Sequence, residues 1–323
     1  AGIDALNMRY GHNTEQPFAV LHRRRLWNER AARWMGWERK RGKIDELNLW
    51  LLGADDTSIK VIHGDGNTLR GARYVITLDA DNQLLPGTAA ELIGALAHPL
   101  NRPRFDDTGH RVVGGYTVIQ PRVDLHPASV NQTVFSRMMS GDTGIDLYHS
   151  AVSETYQDLF GQGIYAGKGI YDVRAFSQSV EGRVPTNAVL SHDLLEGILG
   201  RAALASDIVV LENASPNLAA ELKRQHRWIR GDWQLLPWLL PIRGGEQHRD
   251  VDLLGRWKLF DNLRRSLLPP SLLVLYCAGW VLIPEYGGLW TIAVALAPAL
   301  GIAYSFLGNL RRSALRWGTL RST

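Results

Sequence analysis

The chain has 323 residues, of which 45% are hydrophobic, and 36 Lys or Arg against 32 Asp or Glu give a formal net charge of +4. That length allows one large or two ordinary domains with a sizeable core, and no internal repeat, low-complexity tract or signal peptide is visible. The single cysteine, Cys277, excludes a disulfide framework or a Cys-based metal site within the chain.

Basic residues crowd the first part of the chain. Between Arg23 and Lys43 there are nine Lys or Arg against Glu29 and Glu38, interleaved with Trp27, Trp34 and Trp37. Such a stretch can grip nucleic acid, lie on an anionic membrane or approach the phosphates of a small ligand; it also suits a solvated helix whose tryptophans pack on the core. Arg39-Lys-Arg-Gly-Lys43, followed by Leu47-Asn48, stands apart as the end of a helical pattern with a glycine among cations.

Tyr74-Val-Ile-Thr-Leu-Asp79-Ala-Asp81 is an apolar run that ends in two aspartates. It reads as a strand inside an α/β sheet, with its carboxylates at the C-terminal edge where such folds place ligands. Two carboxylates there can hold a divalent cation against a nucleotide's phosphates. Asp-Ala-Asp-Asn is equally a good turn sequence. A phosphatase with Asp79 as nucleophile opens in the same way, but Asn82, Gln83 and Leu84 depart from its usual continuation.

The spacing next predicts a helix over Pro86 to Leu96, a strand over Val112 to Val123 in which Gly114-Gly115 marks a close approach or bulge, a glycine-punctuated aromatic stretch from Phe160 to Phe176, and a short buried strand over Asp207 to Leu211. Alternation of this kind argues for an α/β layer architecture with a partly parallel sheet. Val189-Leu-Ser-His192-Asp193-Leu-Leu-Glu196-Gly puts an acid at a strand-to-helix junction. There Asp193 can complement a helix dipole or serve as a general base.

Arg224-Gln-His-Arg227-Trp228-Ile-Arg230-Gly-Asp232-Trp233 offers cations for a diphosphate and flat faces for a sugar ring, or an amphipathic helix end at a membrane interface. No charge occurs from Ser266 to Pro284 or from Tyr286 to Leu310. Two transmembrane helices, about 267–284 and 288–308, are expected, and flanking Arg and Lys put both outer ends in the cytoplasm. The division expected is a cytosolic domain over 1–245 and a membrane region over 246–323.

Aspartates after a strand, a separate acid, then Arg-Trp beside apolar helices resembles the processive, inverting, membrane-embedded glycosyltransferases of the GT-A fold. His22-Arg-Arg-Arg-Leu-Trp-Asn28, Trp34-Met-Gly-Trp-Glu-Arg-Lys-Arg-Gly-Lys43, Glu46-Leu-Asn48, Gly167-Lys-Gly-Ile-Tyr-Asp172 and Ser191-His-Asp193 are similar to the glycosyltransferase part of cyclic β-1,2-glucan synthases. The likeness covers nearly the whole chain. It implies a Rossmann-like GT-A domain, N-terminally incomplete, whose first nucleotide-binding strand and early aspartate precede residue 1.

It further implies UDP-glucose as donor, a growing glucan as acceptor, and Mg²⁺ or Mn²⁺ with UDP on Asp79 and Asp81. Asp193 would be the catalytic base, and Lys43, Asn48, Arg227 and Trp228 would approach the nucleotide sugar. Gly167, His192 and Trp228 would meet the acceptor. Arg224 stands where related synthases carry Gln in Gln-X-X-Arg-Trp. The bacterial inner membrane as location, a lipid bilayer and further domains of a larger parent as partners, and no nucleic acid complete what the resemblance implies. A membrane glycosyltransferase making another polymer and a non-catalytic binding module built on residues 23 to 43 are the alternatives.

Overall fold

The computed structural model describes residues 2–11, 16–139, 155–189, 192–240 and 250–297. Its centre is a five-stranded sheet of β1 (Tyr74–Thr77), β2 (Asn82–Leu84), β3 (Val118–Leu125), β4 (Gly169–Asp172) and β5 (Ala203–Glu212), in the order β1-β4-β3-β5-β2. β5 runs parallel to β3, β4 is antiparallel to β1 and β3, and β2 is antiparallel to β5. The expected mixed α/β architecture is therefore present, with β3 and β5 as its parallel pair.

Three elements differ from expectation in an instructive way. β1 lies at the edge of the sheet, half-buried along its length, rather than inside it. The strand expected from Val112 to Val123 is two pieces: Val112–Gly114 pairs with Arg104–Phe105, and the chain turns where the Tyr116 amide donates to the Asn101 carbonyl before β3 begins. The short strand at Asp207 to Leu211 extends to the ten residues of β5, whose register shifts between Ala205 and Val209 and leaves Asp207 exposed.

Because successive strand residues face opposite sides, the sheet feeds two cores. Ile119 and Ile170 meet Leu92 and Leu96 of α2 (Thr88–Ala97) on one side. Val118 and Tyr171 meet Ile44, Trp50 and Leu51 of α1 (Arg39–Leu51), with Val173 and Phe176 of α3 (Val173–Val180), on the other. A third cluster joins Leu194, Leu195 and Leu199 of α4 (Asp193–Leu199) to Trp238 of α6 (Leu236–Leu239) and Leu259 of α7 (Leu253–Leu282). Between them, α5 (Leu218–Gln234) starts at Asn217, whose side chain accepts the Ala220 amide.

The basic stretch is not a single helix with its tryptophans on the core. Trp27 and Trp34 face each other across a hairpin of Leu26–Asn28 and Arg33–Met35, ring centroids 6.0 Å apart, and both are exposed. Arg39-Lys-Arg-Gly-Lys43 begins α1 instead of ending a helix. Gly42 is required there because a Cβ would lie 2.2 Å from the Trp37 carbonyl oxygen.

α7 is built of two different halves. Lys258, Leu259 and Leu263 are buried, and Lys258 donates to the carbonyls of Gln162 and Gly163, so its first half belongs to the α/β core. Beyond Pro269 and Pro270 it is apolar and exposed, and among the described residues it is the one helix long and apolar enough to cross a membrane. After the turn at Pro284–Tyr286 the chain is helical again over 287–297 and folds back, with Trp280 donating to Thr291 Oγ1 at 3.0 Å and Trp290 to the Leu275 carbonyl at 2.7 Å. The rest of the expected second span, and the boundary at 245, lie outside the described residues.

Candidate active site

A cleft of about 390 Å³ opens between the loop after β1, the segment before β4, the start of α4, and the facing sides of α5 and α7. Its size suits a small-molecule site. It gathers residues that are far apart in sequence: Asp79 and Asp81, Tyr165 and Lys168, Asp193, Glu212, Arg224, Arg227 and Trp228, and finally Asp232 with Asn262 and Arg265.

The two aspartates sit in a turn in which the Asn82 side chain accepts the Asp79 amide at 2.7 Å, so the turn reading and the ligand reading are compatible. Asp79 is held by Lys40 of α1, whose Nζ lies 2.7 Å from Oδ1 and also donates to the Gly167 carbonyl at 2.9 Å. Lys168 approaches the other oxygen at 3.9 Å and is paired with Glu212, which in turn meets Arg224. Asp81 is exposed at the cleft. Two carboxylates with hard oxygen donors beside a cation-rich wall fit a small divalent ion shared with phosphate oxygens, so the residues present fit Mg²⁺ or Mn²⁺.

Asp193 is the first residue of α4, placed by the burial of Leu194, Leu195 and Leu199 behind it. Gly167, with φ +78°, passes so close that a Cβ there would be 2.4 Å from Asp193 Oδ1. His192 and Glu196 are both buried, and His192 Nδ1 lies 2.7 Å from Glu196 Oε2 and 3.7 Å from Asp193 Oδ1. Burial works to lower the imidazole, but Glu196 and then Asp193 outweigh it and raise its pKa to about 9. Tyr165 closes the floor with its hydroxyl 3.2 Å from Thr77 Oγ1, and burial, assisted by Asp193, pushes its phenol well up.

On the opposite wall Arg224 bonds Glu221 at 2.8 Å and stacks over the Trp228 ring at 4.9 Å. Trp228 remains 41% exposed, leaving ring surface for a ligand. Arg227 makes no ion pair among the described residues and lines the cleft. Burial lifts Asp232 to about 6 against the opposing effects of Arg265 and an Asn262 hydrogen bond.

Asp79, Asp81, Asp193, Arg227 and Trp228 thus share one cleft, with Gly167 and His192 directly behind Asp193. Lys43 and Asn48 are not among its lining residues. Lys43 is exposed, and Asn48 is buried with its side-chain oxygen accepting the Tyr171 hydroxyl at 2.8 Å. Lys40, Lys168, Glu212, Asp232, Asn262 and Arg265 escaped sequence reasoning. Lys168 lies next to Gly167 in the Gly-Lys-Gly motif, Asp232 in the Arg-Trp cluster and Lys40 in the Arg39–Lys43 run; these could have been weighed there, whereas Glu212, Asn262 and Arg265 carry no local signal.

One α/β domain thus brings paired aspartates, a helix-start carboxylate and an Arg-Trp wall around a single cleft of small-molecule size. No family model matches the chain. Over 306 residues, 93% of the chain, it is 43% identical to the cyclic beta-(1,2)-glucan synthase NdvB of Rhizobium meliloti (strain 1021). The chain is therefore related to a segment of that synthase, and it spans 11% of the relative's length.

Proposed function

We propose that the chain is the glucosyl-transferring segment of a cyclic β-1,2-glucan synthase, a GT-A type domain anchored in the bacterial inner membrane with its cleft on the cytosolic side. It transfers glucose from UDP-glucose to a growing glucan with inversion. The observation that carries this reading is the convergence of Asp79 and Asp81, Asp193, and Arg227-Trp228 on one cleft from three distant parts of the sequence. The relationship to NdvB supports the product, and the exposed apolar half of α7 supports the anchor.

The Asp193 carboxylate takes the proton from an acceptor hydroxyl as that oxygen attacks the anomeric carbon. The bond from that carbon to the diphosphate oxygen breaks, UDP leaves with the electron pair, and the α-linked donor becomes a β-glucoside. Lys168, Arg224 and Arg227 line the cleft and Lys40 pairs with Asp79 at its edge; charge-assisted bonds from these cations would stabilise the diphosphate charge that develops there. Asp79 and Asp81 would hold Mg²⁺ or Mn²⁺, which supplies Lewis-acid neutralisation of phosphate oxygens when bound. Trp228 gives its open ring face to a sugar.

Membranes carrying the full-length parent, radiolabelled UDP-glucose and Mn²⁺ test the proposal, with linkage analysis of the product. A β-1,2-linked glucan is expected, reduced at least ~10²-fold in Asp193→Asn, the usual scale for loss of a general base. Wild-type transfer by Asp193→Asn would sink the assignment of the base. Incorporation only from another sugar nucleotide would replace the donor.

A further inference from the structure

We propose that Glu196 is a positioning residue for this reaction: its buried ion pair with His192 fixes the side chain beside the Asp193 carboxylate and so holds that carboxylate toward the cleft. The inference rests on Asp193 being the base. His192 is 3% and Glu196 2% exposed, and their ion pair spans one helical turn at 2.7 Å. His192 Nδ1, Asp193 Oδ1 and Glu196 Oε2 are cut off from solvent, and the contacts they make among the described residues are with one another. Electrostatic contact within the trio is thus what orients these atoms.

The geometry gives each member a separate task. Gly167 limits Asp193 from one side, since even a methyl group there would overlap Oδ1. The imidazolium stands 3.7 Å away, too far for a direct bond that would tie up the carboxylate. Glu196 keeps it at that distance by holding it from behind. Without the Glu196 charge, a protonated His192 has Asp193 as its remaining anionic partner in the trio, and the pair closes at the expense of the acceptor proton.

Other charged groups face the trio from neighbouring elements. Lys40 opposes protonation of His192, while Asp45 of α1 is coupled to His192 and Glu196 and has its carboxyl raised by burial. Tyr165 and Tyr171 face Glu196, and burial raises both phenols. None of these groups replaces the 2.7 Å contact with Glu196.

The full-length synthase in membranes is assayed for kcat, KM for UDP-glucose, UDP binding and the pH dependence of kcat, comparing wild type, Glu196→Gln, His192→Gln and Asp193→Asn. Glu196→Gln is expected to lower kcat by roughly 10- to 100-fold, the scale of lost support for a reacting group. Its KM for UDP-glucose and its UDP binding stay near wild type. Its rate rises with pH through the neutral range as the less strongly held imidazole loses its proton and frees Asp193, a step that the wild type and His192→Gln lack.

Wild-type kcat and an unchanged profile in Glu196→Gln overturn the proposal. If that variant fails to bind UDP, the wild-type profile decides: a neutral-range step overturns it and a flat region supports it. Full transfer by Asp193→Asn fails the underlying base assignment, whereas loss in Asp193→Asn with a normal Glu196→Gln fails only the positioning role.

Discussion

Asp193 is confined by neighbours that leave it little freedom, and substitutions against that confinement have defined consequences. Gly167→Ala drives a Cβ to 2.4 Å from Oδ1 at a backbone φ of +78°, so the carboxylate must move. Displacement of a reacting group by about 1 Å costs on the order of 10²-fold in rate. That loss is expected in transfer, while UDP binding, which Arg224 and Arg227 on the opposite wall also support, falls much less; equal losses in both would point to general misfolding. Asp232 gives a stability test. Its folded pKa of about 6 lies above the ordinary carboxylate value of 3.8. A raised pKa stabilises the fold below the lower value, and the advantage is lost as pH rises through the higher one. Asp232→Asn should therefore raise the melting temperature more at a pH above 6 than below 3.8, as read by thermal unfolding in detergent at both extremes. An identical gain at both pH values would refute the burial argument.

Elements decide which of several similar residues reaches the cleft. Sequence pointed to Lys43, but Lys40 is the cation that meets Asp79, because α1 starts at Arg39 and its rotation is set by Gly42 against Trp37. A run of cations does not reveal which one faces inward until the helix start is known. Lys40→Met should raise KM for UDP-glucose roughly tenfold, equivalent to about 1.4 kcal/mol and near the low end for a bond to a charged group. Lys43→Met should leave it unchanged, and steady-state kinetics on the pair distinguishes the two placements. Periodicity failed similarly at Trp27 and Trp34: residues seven apart stack along a helix, but they also meet across a hairpin, and only pairing partners decide. Asp193 was legible because a carboxylate at a helix start is a local signal, as was the apolar strand before Asp79. The order β1-β4-β3-β5-β2 and the edge position of β1 are products of long-range pairing, which no local pattern encodes.

At the scale of the whole molecule, the arrangement couples a polar cleft to an apolar helix through one continuous element. α7 contributes Asn262 and Arg265 to the cleft and, over about its next four to five turns, presents Leu273, Val274, Val281 and Leu282 largely exposed. Its 30 residues correspond to about 45 Å of helix, enough for a buried half and a stretch entering a hydrocarbon layer about 30 Å thick. An exposed apolar surface of this kind demands a cover, which the bilayer of the proposed membrane anchor would supply. Cys277, the single cysteine, is exposed within that apolar stretch and makes the arrangement testable without an added label. In intact membrane vesicles of either orientation, a charged maleimide should leave Cys277 of the 323-residue chain unmodified, and denaturation should expose it fully. Rapid labelling from one face of intact vesicles would mean that water reaches the middle of the apolar half. The helix would then be covered by protein or left on the surface, and the proposed membrane anchor would be lost even if the transfer chemistry stood.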